Sequence, residues 1–408
     1  MTRFRRVGLV AVFSAGFACV ACSPTTRDTA TTEASDESSA EAFEESLAAV
    51  LSVEEDLARA DQLIALLLAA GPRDRTVLEE AVQDRFRAID PIDQLLLLKA
   101  WARQDPEMAT SWARAAAPTI VSEAATSSAI REWALQAPEV AVQRLPVGEA
   151  GIGRAVVSGW FDSGKPGLSG FVLSQGSGKD GQLLISAYVR KLIAREGVGA
   201  ARAWAESQQG NPRLLMAVYR HTGKEIASVD PDAAIAFCDT HCSEAYGDSV
   251  FTFVARRVGQ IGEGRKAMAW IAKSETADPK ERLQGARVAF REWMISDRAA
   301  AVAWAGAFLE ENGYVEWFDA VPGLVVASLA WKQPLEALEW ADWISDPQQQ
   351  ELALITIARR WRRVDPEAAE NWLATSPLSE EARQKSRENP VPFSGTDARS
   401  AAASAGLG

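Results

Sequence analysis

Two cysteines, Cys238 and Cys242, lie four residues apart with His241 between them, and these residue types can form a disulfide, remain free thiols or bind a metal. Two sulfur atoms and one imidazole fall short of the four ligands that a structural zinc site uses, so metal binding is the weakest of these hypotheses. The choice between a disulfide and two free buried thiols depends on the redox compartment of the protein.

Two glycine-containing segments have spacings that are similar to those of nucleotide-binding loops. In residues 173–180, a phosphate-binding loop would need glycine where Leu173 stands, and it would need a magnesium-binding Ser or Thr where Asp180 stands. Residues 148–153 precede a predicted helix with no strand before them, which excludes the dinucleotide-binding motif. We therefore predict loops at both places, no cofactor, and no catalytic motif of an enzyme.

The composition argues against nucleic acid as a ligand and is compatible with a glycan. The chain has 408 residues and a net charge of −12, which argues against nucleic acid because phosphate binding needs clustered basic residues. It contains 14 tryptophans and 55 acidic residues. Tryptophans can stack on sugars and paired carboxylates can hydrolyse them, so a glycan or peptidoglycan binder, or a carboxylate hydrolase, stays as an alternative function.

The first 22 residues have the pattern of a secretory signal peptide. Three arginines precede an apolar run that ends at Cys22, and this run is too short to span a bilayer. Cys19-Val20-Ala21-Cys22 resembles the lipobox of bacterial lipoproteins, although Cys19 stands where that motif usually has Leu. The resemblance implies that Cys22 carries lipid. Ordinary cleavage at the same bond, giving a soluble secreted protein, and an uncleaved anchor are the alternatives.

The segments that flank the predicted fold are poor in bulky apolar side chains. Residues 23–41 are rich in Ser, Thr and acids, and we predict a disordered tether there. Ser23 replaces the Asp that retains well-studied lipoproteins in the inner membrane, so the resemblance implies the outer membrane and its periplasmic side. Residues 378–408 are charged and then rich in Pro, Ser and Ala, which predicts a disordered tail.

This localisation bears on the cysteine pair. Once a signal peptide is removed and Cys22 is acylated, Cys238 and Cys242 are the only thiols left, in an oxidising compartment. Two unpaired cysteines would be a liability there. We therefore favour a Cys238–Cys242 disulfide, with free buried thiols and metal binding with His241 as the alternatives.

A repeat of about 33 residues organises the middle of the chain. The full pattern is an apolar anchor, Asp-Pro at offsets 4 and 5 from it, Ala at offset 8 and an aromatic residue at offset 11. WARQDPEMATSW (101–112) and WRRVDPEAAENW (361–372) are the clearest copies, and several others keep only part of the pattern. Nine copies can be recognised, with anchors at positions 101, 133, 160, 193, 226, 259, 293, 329 and 361. Eleven of the 14 tryptophans occupy the anchor or offset 11, and we predict that they form the core between helices.

Asp-Pro predicts the start of a helix, because Asp accepts hydrogen bonds from free amides and Pro fits the first helical position. Asp105, Asp230 and Asp365 are predicted to lie between the two helices of a unit, whereas Asp90, Asp278 and Asp346 begin the first helix of one. Each unit is therefore a helical hairpin. One hairpin cannot bury both of its apolar faces, so neighbouring hairpins must stack.

The repeat resembles the tetratricopeptide-like (TPR-like) class of helical repeats, in a variant with Trp and Asp-Pro. That class has a period of 34 residues with Ala and an aromatic in the second helix, and the copies at Ile193 and Gly259 come closest to its glycine-containing turn. The resemblance covers roughly residues 55–377. It implies an all-α fold, a right-handed α-solenoid of about nine to ten hairpins within residues 42–377.

The class serves mostly as protein-binding scaffolds, so the resemblance implies a lipid-anchored, periplasm-facing scaffold for another envelope protein or peptide. Such a protein would touch the membrane only through its N-terminal lipid. Three tryptophans, at positions 317, 331 and 343, lie outside the register. Trp317 and Trp343 are our candidate partner-binding residues, because an exposed aromatic side chain makes a good interface anchor.

Overall fold

In the computed structural model, residues 29–85, 89–115, 123–242, 248–274 and 277–388 are described, and all their regular structure is helical, without a strand. The chain divides into two compact units, residues 1–126 and 127–408. The predicted signal peptide and Cys22 lie outside the described residues. None of the helices described is both long enough and apolar enough to cross a membrane.

The described residues of the first unit form five complete helices and a short 3-10 turn at Pro72–Asp74. The helices are α1 (Thr29–Leu51), α2 (Asp56–Ala69), α3 (Arg75–Arg85), α4 (Pro91–Gln104) and α5 (Pro106–Ala115). Helix α1 begins inside the segment predicted as a disordered tether, so the helical part of the chain starts earlier than the sequence indicated. Phe43 and Leu47 of α1 are buried, and such apolar side chains stabilise the helix where it packs on α2.

The second unit continues with α6, whose first residues precede the boundary, and α22 is the last helix among its described residues. Its helices are α6 (Glu123–Gln136), α7 (Pro138–Arg144), α8 (Ala150–Ser163), α9 (Leu168–Ser174), α10 (Lys179–Glu196), α11 (Val198–Glu206), α12 (Pro212–Ala227), α13 (Pro231–His241), α14 (Asp248–Gln260), α15 (Gly264–Lys273), α16 (Pro279–Ser296), α17 (Arg298–Asn312), α18 (Ala320–Leu329), α19 (Pro334–Ala341), α20 (Pro347–Arg362), α21 (Pro366–Thr375) and α22 (Glu380–Arg387). A 3-10 turn at Glu316–Phe318 precedes α18.

The predicted repeat register matches these helices. Each of the nine anchors lies at the end of a first helix, and in every copy but one the second helix begins at offset 5. The exception is α9, where Gly164 and Gly167 both have positive φ angles and the helix begins only after them. The predicted hairpins are therefore confirmed along the described chain.

The six Asp-Pro pairs begin helices as predicted. The side chain of Asp105 accepts from the amide of Met108 at 3.0 Å at the start of α5, and Asp278 accepts from Lys280 at 2.9 Å at the start of α16. The other four aspartates make the same kind of hydrogen bond at 2.8–3.0 Å: Asp90, Asp230, Asp346 and Asp365. Asp297, which lacks the proline, does so as well.

Small residues bring the helices of the repeats together. The alanines at offset 8 are fully buried in eight copies: Ala109, Ala141, Ala201, Ala234, Ala267, Ala301, Ala337 and Ala369. Gly259, the one anchor without a side chain, lies where a Cβ atom would come within 2.8 Å of the carbonyl oxygen of Ala289. Glycine is needed there because the first helices α14 and α16 pack closely.

The first helices of successive copies in the second unit contact one another in series, from α8 through α10, α12, α14, α16, α18 and α20 to α22. Each first helix from α10 to α20 also contacts its own second helix, and α22 is the last element of the series. One apolar core extends through this unit from Val157 to Ala382.

The last helix corrects the predicted C-terminal boundary. The sequence predicted disorder throughout residues 378–408, but Leu378 is buried and α22 packs on α20. Arg362 of α20 donates to the carbonyl of Arg387 at 2.9 Å. A single short helix is predicted poorly from its few apolar residues, and here it folds because α20 offers it a surface. Residues 389–408 lie outside the described part.

Candidate partner-binding surface

The register tryptophans form contacts inside the fold, and their burial falls into two groups. Seven of them are buried: Trp101, Trp133, Trp160, Trp270, Trp293, Trp340 and Trp361. Four at offset 11 are half-buried: Trp112, Trp204, Trp304 and Trp372. The half-buried ones still make interior contacts, because Trp204 donates to Ser169 of the preceding copy at 2.8 Å. The core prediction holds for the first group fully and for the second in part.

Trp317, one of the two predicted partner-binding residues, is not exposed. Only 8% of it is accessible, and its ring lies 5.3 Å from that of Phe308 and 5.5 Å from that of Phe318. The guanidinium of Arg282 covers it at 5.1 Å. The 3-10 turn before α18, which the sequence did not indicate, directs this side chain inward and removes it from the candidate surface.

Trp343, the other candidate, is 39% exposed just after α19. Trp331 is 42% exposed, and the guanidinium of Arg363 lies 5.7 Å from its ring. Trp331 lies in the turn between α18 and α19, and Trp343 lies in the turn after α19. Both remain accessible on the surface.

Cys238 and Cys242 form a disulfide at the end of α13, with their Cα atoms 4.9 Å apart. His241 points to another partner, because its Nε2 lies 3.0 Å from a carboxylate oxygen of Glu206. Among the described residues, no group of three His, Cys, Asp or Glu side chains is arranged to hold a metal ion.

A cluster of basic side chains that the sequence did not reveal lies on the first helices. The guanidinium carbon of Arg220 on α12 lies 4.6 Å from the centre of the Phe253 ring on α14, and that of Arg256 lies 5.8 Å from the same ring. We call Arg220, Phe253 and Arg256 the guanidinium cluster. Two cations thus share one aromatic side chain, an arrangement in which the ring offsets part of the cost of burying charge.

Two polar residues, Gln182 and His221, lie beside the cluster. Gln182 donates to the carbonyl of Ser177 at 2.7 Å, and its Oε1 accepts from Arg220 at 2.5 Å. The same oxygen lies 3.4 Å from Nε2 of His221, whose Nδ1 is buried without a hydrogen-bond partner. Burial, together with the charge of Arg220, lowers the pKa of His221 to about 4. His221 is therefore neutral at pH 7, and the two arginines carry the charge of the cluster.

No carboxylate of the described residues forms an ion pair with Arg220 or Arg256. The nearby carboxylate of Glu225 is engaged elsewhere, because both of its oxygens bind Arg190 at 3.0 and 3.1 Å. The Nε atoms of Arg220 and Arg256 are buried without a hydrogen-bond partner, and burial lowers the pKa of Arg220. Charged groups out of water are normally paired, so this cluster has unused capacity to bind an anion.

An apolar groove lies further along the same series of first helices, between α16, α18 and α20. Its volume is about 440 Å³, and its charged lining residues are Arg287 and Asp319. Asp319 accepts from the backbone amide of Ser345 at 3.2 Å. We call this cleft between α16, α18 and α20 the apolar groove. Its bulky apolar residues are Leu283, Leu324, Val326, Ile344 and Leu352. Leu352 is 55% exposed, so the groove presents apolar surface to solvent.

The repeat register connects the cluster with the groove. Arg220, Phe253, Arg287 and Gly323 all stand six residues before the anchors of four successive copies. This position was not part of the predicted motif, since its residue types differ from copy to copy. Aligning the copies and asking which position varies would have drawn attention to it, because a shared core requires constancy and a binding face does not.

Comparison of the chain with protein-family models, with curated proteins and with solved structures gave no match.

Proposed function

We propose that this chain is a helical-repeat scaffold that binds another polypeptide through the first helices of its second unit. One observation carries the proposal. On the first helices of successive copies, the guanidinium cluster offers charge without an ion-pair partner among the described residues, and the apolar groove offers exposed apolar surface. Most of the register tryptophans, by contrast, are buried inside the fold. Apolar surface beside unpaired arginines is typical of protein-binding sites.

The shape that we propose for the repeat array is a right-handed α-solenoid. The serial contacts of the first helices from α8 to α22 support it, since stacked hairpins that each touch only their neighbours form such arrays. The Ala and aromatic positions that resemble the TPR-like class support it as well.

We further propose that the protein is a lipoprotein of the bacterial outer membrane, facing the periplasm, with Cys22 as its lipid anchor. The basic start, the short apolar run and the small Ala21 support this proposal. Intact-mass analysis of membrane-extracted protein tests it. A mature chain that starts elsewhere, or a Cys22→Ser variant that keeps its membrane partition, would overturn it. A soluble periplasmic protein is the alternative.

A site-specific photo-crosslinker tests the scaffold function. We would place it at Leu352, in the apolar groove, and as a matched control at Val140, which is 44% exposed on α7. We expect polypeptide adducts in intact cells from position 352 and much less of them from position 140. Equal yields at both positions, or no polypeptide adduct at 352, would contradict the proposal.

The glycan alternative rests on the exposure of Trp331 and Trp343. Co-sedimentation with isolated peptidoglycan, using Trp331→Ala and Trp343→Ala variants, distinguishes it from the scaffold function. A glycan binder would sediment with peptidoglycan and lose this in the variants. The scaffold function predicts no sedimentation that depends on either tryptophan.

A further inference from the structure

The guanidinium cluster and the apolar groove lie on contacting helices within one unit, and together they define the chemistry of a partner. We propose that they bind one extended segment of a partner polypeptide, with an acidic side chain between Arg220 and Arg256 and apolar side chains in the groove. This inference rests on the proposed scaffold function and names the class of partner that the surface recognises.

Charge complementarity selects an acidic side chain for the cluster. Arg220 is held by a neutral amide, Gln182, and Arg256 lies against the ring of Phe253; neither forms an ion pair with a carboxylate of the described residues. A carboxylate that enters between the two guanidiniums would accept hydrogen bonds from their terminal N–H groups, which form no ion pair with a carboxylate of the described residues. Guanidinium groups bind carboxylates through paired hydrogen bonds, and these bonds are stronger where water is excluded.

The groove selects apolar side chains for the rest of the segment. Leu283, Leu324 and Leu352 come from three different helices and converge on one cleft of about 440 Å³, a size that accommodates one or two large side chains. Arg287 lines this groove and stands in the register position of Phe253, one copy further along the chain. It would extend the positive charge from the cluster to the edge of the groove.

Helix spacing sets the distance between the two parts of the segment. The cluster lies on α12 and α14, and the groove begins at α16 and is centred on α18. Packed helices are about 8–10 Å apart, so the step from α14 to α18 is roughly 16–20 Å. An extended chain rises about 3.3 Å per residue. The acidic residue and the apolar residues of the partner should therefore be separated by about five or six residues.

Selection of displayed random twelve-residue peptides on the immobilised full chain tests this inference. We expect the selected peptides to carry Asp or Glu about five or six residues from Leu, Ile or Phe. Substituting Gln for the acidic residue of a selected peptide should weaken its binding about tenfold, and high salt should do so as well. Peptides without an acidic residue, or no selected peptide at all, would overturn the inference.

Protein variants identify the residues. Arg220→Gln combined with Arg256→Gln should weaken a selected peptide about tenfold or more, whereas Arg213→Gln, an exposed arginine on the same helix α12, should change little. Arg220→Lys keeps the charge but loses the planar donor pair, and we expect an intermediate loss. The melting temperature of each variant shows whether it is folded. Undiminished binding by the folded double variant would contradict the assignment.

Two competitors distinguish other anions from an acidic polypeptide. Inorganic phosphate and vesicles that contain an anionic phospholipid are added to the complex with the selected peptide. We expect neither to displace it at concentrations where an unlabelled copy of the peptide does. Displacement by phosphate or by the vesicles at those concentrations would overturn the inference, because the cluster would then bind another oxyanion and not an acidic polypeptide. If polypeptide is crosslinked at Leu352 but the selected peptides show no preference for an acidic residue, this inference is refuted. The proposed scaffold function is then still supported.

Discussion

Two sets of basic side chains on the first helices of the second unit differ in what they contact. In one set, each side chain is tied to the preceding copy. The ammonium of Lys191 lies 2.9 Å from Asp162, and Arg257 donates to the hydroxyl of Ser228 at 2.8 Å. Lys191 and Arg257 stand two residues before their anchors, and Asp162 and Ser228 two residues after theirs. The contact therefore recurs with the period of the repeat and holds neighbouring hairpins together.

The other set consists of Arg220 and Arg256. Neither forms an ion pair with a carboxylate of the described residues, although the chain carries an excess of acidic residues. The difference separates two uses of basic residues. Charges that are satisfied inside the molecule contribute to its stability, and charges that are left unsatisfied are available to a partner. Changes in the interior should therefore alter stability, whereas changes in the cluster should alter binding.

The largest effect on stability is expected from an anchor tryptophan. Trp293 is 4% exposed and contacts Phe290 and Trp304, with ring centres 6.3 and 5.7 Å away. Trp293→Ala should lower the free energy of unfolding by about 3–5 kcal/mol, because it leaves a cavity between helices. Denaturant unfolding followed by circular dichroism measures this change.

The matched control is Trp343→Ala, because this side chain is 39% exposed. Its change in free energy should stay within about 0.5 kcal/mol. If both substitutions had the same effect on stability, interior and surface aromatics could not be separated in this way. Trp112 and Trp304, which the sequence also predicted to lie in the core, are less suitable as test positions because both are only half-buried.

A pH-dependent effect is expected from His221, which supports the guanidinium cluster. Burial, the charge of Arg220 and the charge of Lys224 lower its pKa in the folded protein from 6.5 to about 4, against the opposing charge of Glu225. Between these two pH values the unfolded chain binds more protons, so stability falls as the pH decreases from 6.5 towards 4. The loss attributable to this group is about 3 kcal/mol.

His221→Gln cannot be protonated and keeps a polar group at this position. The free energy of unfolding, measured from pH 7 to pH 4, should therefore decrease less steeply for the variant than for the wild type. The carboxylates contribute equally to both proteins. Two parallel curves would show that His221 is not buried in its neutral form.

The disulfide is expected to contribute less. Cys238 and Cys242 close a short loop, so reduction should cost about 2 kcal/mol, at the low end for disulfides. Peptide mapping without reductant should find the linked pair in protein from an oxidising compartment. Two freely alkylated cysteines in native protein would contradict the disulfide, and a double Cys238→Ala, Cys242→Ala variant controls for effects of the reductant.

The smallest effect is expected for Arg190 on α10, a paired arginine whose partner lies in the following copy. Arg190 binds Glu225, which is 4% exposed, but 57% of the arginine side chain itself is accessible to solvent. Arg190→Met should therefore cost only about 1–2 kcal/mol, below the value for a fully buried pair. Arg213→Met on the surface should cost almost nothing. Peptide binding at the guanidinium cluster should be unchanged in both variants. A loss of binding in Arg190→Met would contradict the separation between basic side chains that are paired inside the molecule and those that bind a partner.

The sequence by itself determined the helices, because their signals are local. An Asp before a Pro begins a helix through hydrogen bonds that span two or three residues, and all six such pairs do so. Ala at offset 8 and an aromatic at offset 11 repeat with the period of the units, so the register could be found by comparing the chain with itself. The boundaries were less certain, because α1 and α22 depend on surfaces that other helices supply.

Tertiary structure decided which side chains are available to a partner. Trp317 and Trp343 are both off-register in sequence, yet a 3-10 turn buries the first between Phe308 and Phe318 and leaves the second exposed. Arg220 and Phe253 come from different copies and meet only because α12 packs on α14. Exposure and the pairing of charges depend on contacts between residues far apart in the chain, and a local sequence pattern does not predict such contacts.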